Sequence, residues 1–162
     1  MKIVQLFFLF IIVYSCVSCG RIQSSNSQDV RIKVEVQILL LELAVGTLEQ
    51  YKLVLCSKSD TTLKLTMLVG KYEAQTLAID IKNLKPKAPL PLDLLNEAIR
   101  KLDYTISESY IDGLDEEIFT AKIICNQING NKIIEINARP IDAINISVKT
   151  GCPIFVKNDL LQ

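Results

Sequence analysis

The sequence contains no histidine. Without histidine the chain cannot carry a Ser-His or Cys-His catalytic pair, nor a zinc site with histidine ligands. Any catalysis must therefore use carboxylates, lysine, arginine, tyrosine, cysteine, or a metal ion that is held by oxygen ligands.

A net charge is also lacking, since 18 basic residues balance 18 acidic ones. This balance excludes a histone-like nucleic-acid binder, which needs a net basic field, but not an enzyme that acts on nucleic acid through a local site. Disordered and low-complexity classes are excluded as well, because 49% of the residues are hydrophobic and 22% are charged. The 162 residues suffice for one domain of ordinary size.

The N-terminal apolar run is too short to cross a bilayer comfortably, which takes about 20 apolar residues. It covers residues 3–13 and follows a single charge at Lys2, an arrangement that is typical of a secretory signal peptide. Residues 1–19 are therefore predicted to be a signal peptide, with an uncleaved membrane anchor as the alternative.

A cysteine directly follows a small residue at Ser15-Cys16, as in a bacterial lipobox. We predict lipidation at Cys16, with Cys19 as the alternative site and a Cys-x-x-Cys redox or metal pair as another interpretation. The predicted location is the bacterial cell envelope, where the exported chain is anchored to a membrane by its lipid. The serine-rich residues 20–30 are predicted to be a flexible tether.

The periodicity of apolar residues predicts one domain over residues 31–158, followed by a polar tail over 159–162. Period-two alternation predicts strands, and helical spacing predicts helices near 71–83, near 92–102 and from Pro140 to Gly151. Asn129-Gly130 is typical of a type I′ turn and predicts a hairpin. The predicted class is α+β (irregular α/β), a mixed β-sheet with about three helices. The predicted strands cover 32–40, 51–56, 62–69, 104–111, 119–125, 132–137 and 153–156.

Three short motifs lie within this domain. Residues 70–74 are Gly-Lys-Tyr-Glu-Ala, residues 89–93 are Pro-Leu-Pro-Leu-Asp, and residues 137–143 are Asn-Ala-Arg-Pro-Ile-Asp-Ala. Their order and spacing resemble the bifunctional nuclease domain family over essentially the whole predicted domain. The resemblance implies hydrolysis of DNA and RNA.

The resemblance also implies roles for single residues. Glu73, Asp93 and Asp142 are the expected catalytic carboxylates, and Glu73 and Asp142 are the expected ligands of a divalent metal, Mg²⁺ or Mn²⁺. Arg139 and Lys149 are the expected phosphate-binding residues. In a chain without histidine, this combination of carboxylates, metal and a basic side chain is the natural arrangement for phosphodiester hydrolysis.

Each of these residues also has a structural interpretation. Arg139 can equally form a salt bridge with Asp142 or Glu73. Glu73 and Asp142 fall in the first turns of their predicted helices, where a carboxylate complements the helix dipole. Asp142, Asn145 and Lys149 form a polar stripe that is typical of the solvated face of a helix.

Charge is distributed unevenly along the domain. Lys82, Lys85 and Lys87 form a basic loop, whereas residues 103–117 contain six acids and no base. A nucleic acid is therefore expected to approach the lysine-rich side.

The leading hypothesis is an exported, membrane-anchored and metal-dependent nuclease that binds nucleic acid; a homo-oligomeric state is left open. The alternative is a non-catalytic binding domain of the same fold. It is suggested by Leu92, Asn137 and Ile141, which stand where the family has a histidine, an acid and a serine.

Overall fold

The computed structural model describes residues 32–46 and 49–162. These residues contain seven β-strands, three α-helices and one short 3₁₀ helix at Asn158–Leu160. The strands are β1 (Lys33–Leu43), β2 (Gln50–Ser57), β3 (Lys64–Gly70), β4 (Tyr104–Asp115), β5 (Ile118–Gln127), β6 (Ile133–Ala138) and β7 (Ile154–Lys157). The helices are α1 (Lys71–Ile81), α2 (Pro91–Lys101) and α3 (Pro140–Thr150).

The strands form one mixed sheet in the order β3-β2-β1-β7-β4-β5-β6. All neighbouring strands are antiparallel except β4 and β7, which run parallel. The short strand β7 pairs with β1 on one side and with β4 on the other. It therefore joins two groups of three strands into a single sheet.

The helices pack against the sheet and against each other. α1 begins directly after β3, and α3 begins one residue after β6. α3 contacts both α1 and α2 as well as β4 and β5. The core between helices and sheet consists mainly of aliphatic side chains, of which the fully buried ones include Leu53, Leu55, Leu77, Ile144, Ile146 and Val156.

This architecture confirms the predicted fold class, an α+β domain with a mixed sheet and three helices. The signals at the ends of α3 are also confirmed. Pro140 occupies its first turn, and Gly151 ends it with a φ of 75°, in the left-handed region that favours glycine. α1 ends at Ile81 rather than at residue 83, and β4 continues to Asp115 rather than ending at residue 111.

The predicted type I′ turn at Asn129-Gly130 is wrong. β5 ends at Gln127 and β6 begins only at Ile133, and neither Asn129 nor Gly130 has a positive φ. A loop of five residues makes this connection. In a loop of this length Asn129 and Gly130 do not need the positive φ that a two-residue type I′ turn demands.

The two-residue hairpin lies instead between β4 and β5. Asp115 pairs with Ile118, and the two residues between them, Glu116 and Glu117, have φ values of 44° and 67°. Both central residues of a type I′ turn need positive φ, which is why Asn-Gly is the usual signal. Two glutamates therefore hold a conformation that is costly for their residue type.

No helix of the described residues is both long enough and apolar enough to cross a membrane. The predicted signal peptide over residues 1–19, the lipidation site at Cys16 or Cys19, and the tether over 20–30 lie outside the described residues.

Candidate active site

Arg139 is the residue between β6 and α3, and its guanidinium turns back onto the first turn of α3. Nε and Nη2 donate to the two carboxylate oxygens of Asp142 at 2.6 and 2.9 Å. This is the bidentate geometry in which guanidinium and carboxylate bind most strongly. Asp142 is at the same time the acidic residue in the first turn of α3, where it complements the helix dipole.

Glu73, from the first turn of α1, is the third member of this cluster. Its Oε1 accepts a hydrogen bond from Arg139 Nη1 at 3.4 Å. At the other ends of the two helices, Lys149 Nζ lies 2.9 Å from Asp80 Oδ1. The N-terminal turns of α1 and α3 are thus in contact, and so are their C-terminal turns. The two helices therefore run parallel, and their N-termini meet at Arg139. The dipoles of both helices favour negative charge at this point.

Gly70 provides the space in which the Glu73 carboxylate lies. Its backbone is extended, with φ −70° and ψ 162°, so any residue could adopt this conformation. A Cβ on residue 70 would, however, collide with Glu73 Oε2. A larger residue at this position would therefore require the Glu73 carboxylate to move, whereas the backbone itself would not change.

Arg139 remains accessible within the cluster. Its side chain is 66% exposed, and three of its five N–H donors are used by Glu73 and Asp142. Hydrogen bonding to Asp142, together with the charges of Asp142 and Glu73, raises the pKa of Arg139 above its ordinary value. One guanidinium and two carboxylates leave one net negative charge, which opposes phosphate binding unless a cation joins them.

A second ion cluster lies at the C-terminal ends of α1 and α3. Lys149 Nζ contacts Asp80 Oδ1 at 2.9 Å and Asp93 Oδ1 at 2.8 Å. The side chains of Lys149 and Asp80 are only 13% and 9% exposed. Burial opposes the charge on Lys149, but hydrogen bonds to Asp93 and Asp80 outweigh burial and raise the pKa of Lys149. The cluster ties α1, the start of α2 and α3 together.

Asp93 has a capping role in addition to its ion pair. Its Oδ2 accepts the backbone N–H of Leu90 at 2.6 Å, at the start of α2. The hydrogen bond from Lys149, followed by that from Leu90, lowers the pKa of Asp93. Seven residues of α3, about 10 Å at 1.5 Å per residue, separate Lys149 from Asp142. The five predicted site residues thus fall into two groups, Glu73, Arg139 and Asp142 in the first, Asp93 and Lys149 in the second.

The interpretation of Asp142, Asn145 and Lys149 as a solvated stripe is wrong. Asn145 is only 2% exposed, and its Nδ2 donates to the Glu73 backbone oxygen at 3.5 Å. The stripe faces α1, since Asn145 contacts the Glu73 backbone and Lys149 contacts Asp80. Matching spacings, Glu73 to Asp80 and Asp142 to Lys149, are the signal that would have indicated a polar contact between two parallel helices. Asp80 was not among the predicted site residues, because this contact between the two helices was not foreseen.

Acidic residues lie on both sides of Arg139. The cleft on one side is lined by Glu117 and Phe119 together with residues of β3, and the cleft on the other side by Asp112 and Asn137. The basic loop at residues 82–87 follows the C-terminal end of α1 and therefore lies away from Arg139. The candidate active site does not coincide with the lysine-rich side that the sequence indicated for nucleic acid.

The described residues contain no group of three or more acidic or cysteine side chains that could hold a metal ion. Glu73 and Asp142 nevertheless approach one guanidinium together. Mg²⁺ is commonly bound by one or two carboxylates and completes its shell with waters and substrate phosphates. Among the described residues the two carboxylates form no all-protein metal cage, and both are ion-paired with Arg139.

Fold and cluster together define an α+β domain that gathers two carboxylates and one guanidinium at paired helix N-termini. The chain belongs to the bifunctional nuclease domain family, whose model matches residues 53–162. The matched region contains both ion clusters.

Two curated relatives are 31% identical to this chain over 97 residues. They are the uncharacterized protein MT1877 of Mycobacterium tuberculosis strain CDC 1551 / Oshkosh and the uncharacterized protein Rv1829 of strain ATCC 25618 / H37Rv. The match covers 60% of this chain and 56% of each relative, so the chain spans little more than half of their length.

Proposed function

We propose that the domain is a phosphodiesterase that acts on nucleic acid at the cluster of Arg139, Glu73 and Asp142. The single observation that carries this proposal is the convergence of Glu73, from a distant segment of the sequence, on the neighbouring residues Arg139 and Asp142 at the meeting point of two helix N-termini. Membership in the bifunctional nuclease domain family supports the same assignment.

In this proposal Arg139 binds the phosphate. Two of its N–H donors are not used within the cluster, and a guanidinium fork matches two phosphate oxygens. Asp142 holds the guanidinium in place through two hydrogen bonds. The Glu73 carboxylate, beside the same guanidinium, orients the attacking water and accepts its proton. The two helix N-termini stabilise the negative charge that develops on phosphorus-bound oxygen.

The net negative charge of the cluster leads us to propose a divalent cation, Mg²⁺ or Mn²⁺, held by Glu73 and Asp142. Such an ion would neutralise the phosphate and acidify a bound water, which this chain without histidine needs near neutral pH. With the ion present, the charge at the cluster becomes positive and favours an anionic substrate.

The test is cleavage of single-stranded RNA and of plasmid DNA by the purified chain, with Mg²⁺, with Mn²⁺ or with excess chelator. Glu73→Gln and Asp142→Asn should each lower the rate by about 10²-fold or more. Glu97→Gln, at an exposed position of α2, is the matched control and should leave the rate unchanged. Equal cleavage by the wild type, both cluster variants and the chelated sample would refute the assignment.

A second candidate function is non-enzymatic binding by a family member that has lost the chemistry. Leu92 packs against the core and Ile141 is buried in it, so neither offers a polar group at its motif position. No cleavage under any metal by a folded protein, together with measurable nucleic-acid binding that Arg139→Ala abolishes, would establish this second function.

We also propose that the chain is exported to the bacterial cell envelope and anchored to a membrane through a lipidated Cys16. This proposal depends on the sequence of residues 1–19, in which one lysine, an apolar core and Ser15-Cys16 follow one another.

A further inference from the structure

Helix α2 presents a continuous apolar stripe to solvent. Leu94 and Ala98 of the helix, and Leu102 directly after its last residue, follow one another at intervals of four residues, a spacing that places them on one side. Leu94 and Leu102 are 68% and 72% exposed, and Ala98 is exposed between them. Only Ile99 of this helix is fully buried in the domain. Contiguous exposed apolar surface is a feature of interaction sites.

We infer that this stripe is the contact surface between two copies of the chain, packed antiparallel about a two-fold axis at Ala98. The order Leu-Ala-Leu is symmetrical about the alanine, so a two-fold axis there places Leu94 of each copy beside Leu102 of the other. The small alanine at the centre lets the two helices approach closely. A surface that fits itself in this way is what a two-fold dimer requires.

Charged residues along one edge of the stripe support this arrangement. Glu97 and Lys101 lie on the same flank and form an exposed ion pair at 2.8 Å within one chain. In an antiparallel two-fold pair, equal flanks of the two helices face each other. Lys101 of each copy then lies near Glu97 of the other, and these two attractions outnumber the single approach of Glu97 to Glu97 across the axis.

A second copy suits this surface better than a bilayer does. Helices that lie on membranes carry mainly lysine and arginine beside their apolar face, to match anionic lipids. Here the flank of the stripe carries the acidic Glu97 as well as the basic Lys101. The whole chain has a formal charge of zero, so two copies are not held apart by bulk repulsion.

The first experiment measures the mass of the full chain by light scattering in a non-ionic detergent. The range is about 5 to about 300 µM, because a small helix-helix interface gives a micromolar dissociation constant. We expect a concentration-dependent dimer. Leu94→Ser with Leu102→Ser should weaken it at least tenfold, whereas the control Leu114→Ser, at an exposed leucine of β4, should not.

The charged flank provides a test that a merely apolar contact would not pass. Glu97→Lys alone and Lys101→Glu alone should each weaken the dimer several-fold, because like charges then face each other. The double exchange should restore it to within about twofold. Far-ultraviolet circular dichroism of each variant shows whether α2 remains folded.

The inference is overturned by a wild type that stays monomeric throughout the range, by a dimer insensitive to the double serine variant, or by failure of the double exchange to restore association. Vesicle binding by a monomeric wild type that the serine variant loses would assign the stripe to a membrane instead. None of these outcomes depends on nuclease activity.

Discussion

The Glu73 carboxylate lies over Gly70, in the volume that a side chain on residue 70 would fill. The two residues are three positions apart, so the glycine that precedes α1 and one of the two acidic members of the cluster form one structural unit. The close approach places the Glu73 carboxylate beside Arg139, while the backbone at Gly70 keeps an ordinary extended conformation.

Gly70→Ala should therefore displace the Glu73 carboxylate while the fold remains. The extended backbone at residue 70 accepts alanine, so we expect the free energy of unfolding to fall by less than about 1 kcal/mol. Nuclease activity should fall nearly as far as in Glu73→Gln. The control is Gly151→Ala, which should cost about 1 kcal/mol through its positive φ and leave activity unchanged. A fully active Gly70→Ala protein would show that the position of Glu73 is irrelevant to cleavage.

Arg139→Ala should separate binding from stability. The side chain is largely exposed, and ion pairs of exposed groups contribute less than about 1 kcal/mol. We expect a small change in the urea midpoint and a loss of at least tenfold in affinity for a fluorescent single-stranded oligonucleotide. Retained affinity with a large loss of stability would mean that Arg139 is only a structural ion-pair partner.

The hairpin between β4 and β5 should be improved by a conventional turn sequence. Replacing Glu116 by Asn and Glu117 by Gly supplies residues that tolerate positive φ, so we expect the free energy of unfolding to rise by about 1–2 kcal/mol. Asn129→Ala, at the position where the turn was predicted, should change it by less than about 0.5 kcal/mol. The reverse ranking in urea unfolding would contradict the observed register.

Lys149→Met should destabilise the domain because it leaves Asp80 buried beside Asp93 without a cation. We expect a loss of about 2–3 kcal/mol, at the lower end of the range for buried pairs since Asp93 is partly exposed. Asp80→Asn in the same protein should recover part of this loss. If Lys149→Met unfolds at the same urea concentration as the wild type, the cluster contributes nothing to the free energy of unfolding.

The same cluster predicts how stability depends on pH. The pKa of Lys149 is raised, so its contribution is complete below the unfolded value of about 10.4 and is lost as the pH rises through the higher folded value. The pKa of Asp93 is lowered, so its contribution is present above about 3.9 and is lost as the pH falls through the lower folded value. In Lys149→Met the free energy of unfolding should therefore depend less on pH in both the alkaline and the acidic range.

Mass spectrometry of the protein from a bacterial envelope should find an acylated cysteine at position 16 as the N-terminal residue. The expectation follows from Ser15-Cys16 after an apolar core. Cys16→Ser should abolish the acylation, and Cys19→Ser is the matched control that should not. An intact Met1, or a mature chain that starts at Cys19, would contradict this assignment.

The periodicity of apolar residues was enough to predict the class of the fold, because strands and helices bury one face each and show it as period two or 3.6. It was not enough for the β4–β5 turn. Glu116 and Glu117 have no intrinsic preference for positive φ, and the strand register imposes that conformation on them. Asn129-Gly130 has the preference but lies in a longer loop.

The candidate active site was predictable only in part for a related reason. Arg139 and Asp142 are neighbours in the sequence, so their contact could be expected from helix geometry. Glu73 joins them only through the parallel packing of α1 and α3, a contact between distant segments that local patterns do not determine. Asp93 and Lys149 carry suitable chemical groups, but that packing places them at the other ends of the helices.

The position of β7 has a consequence for the folding of the chain during its synthesis on the ribosome. β7 is synthesised after the other six strands, yet it lies between β1 and β4 and is their common neighbour. Until residues 154–157 have emerged, β1 and β4 lack their common neighbour, and each of these strands is left with one edge unpaired. A chain cut short before residue 154 cannot close this gap. The central strand thus makes assembly of the sheet conditional on completed synthesis.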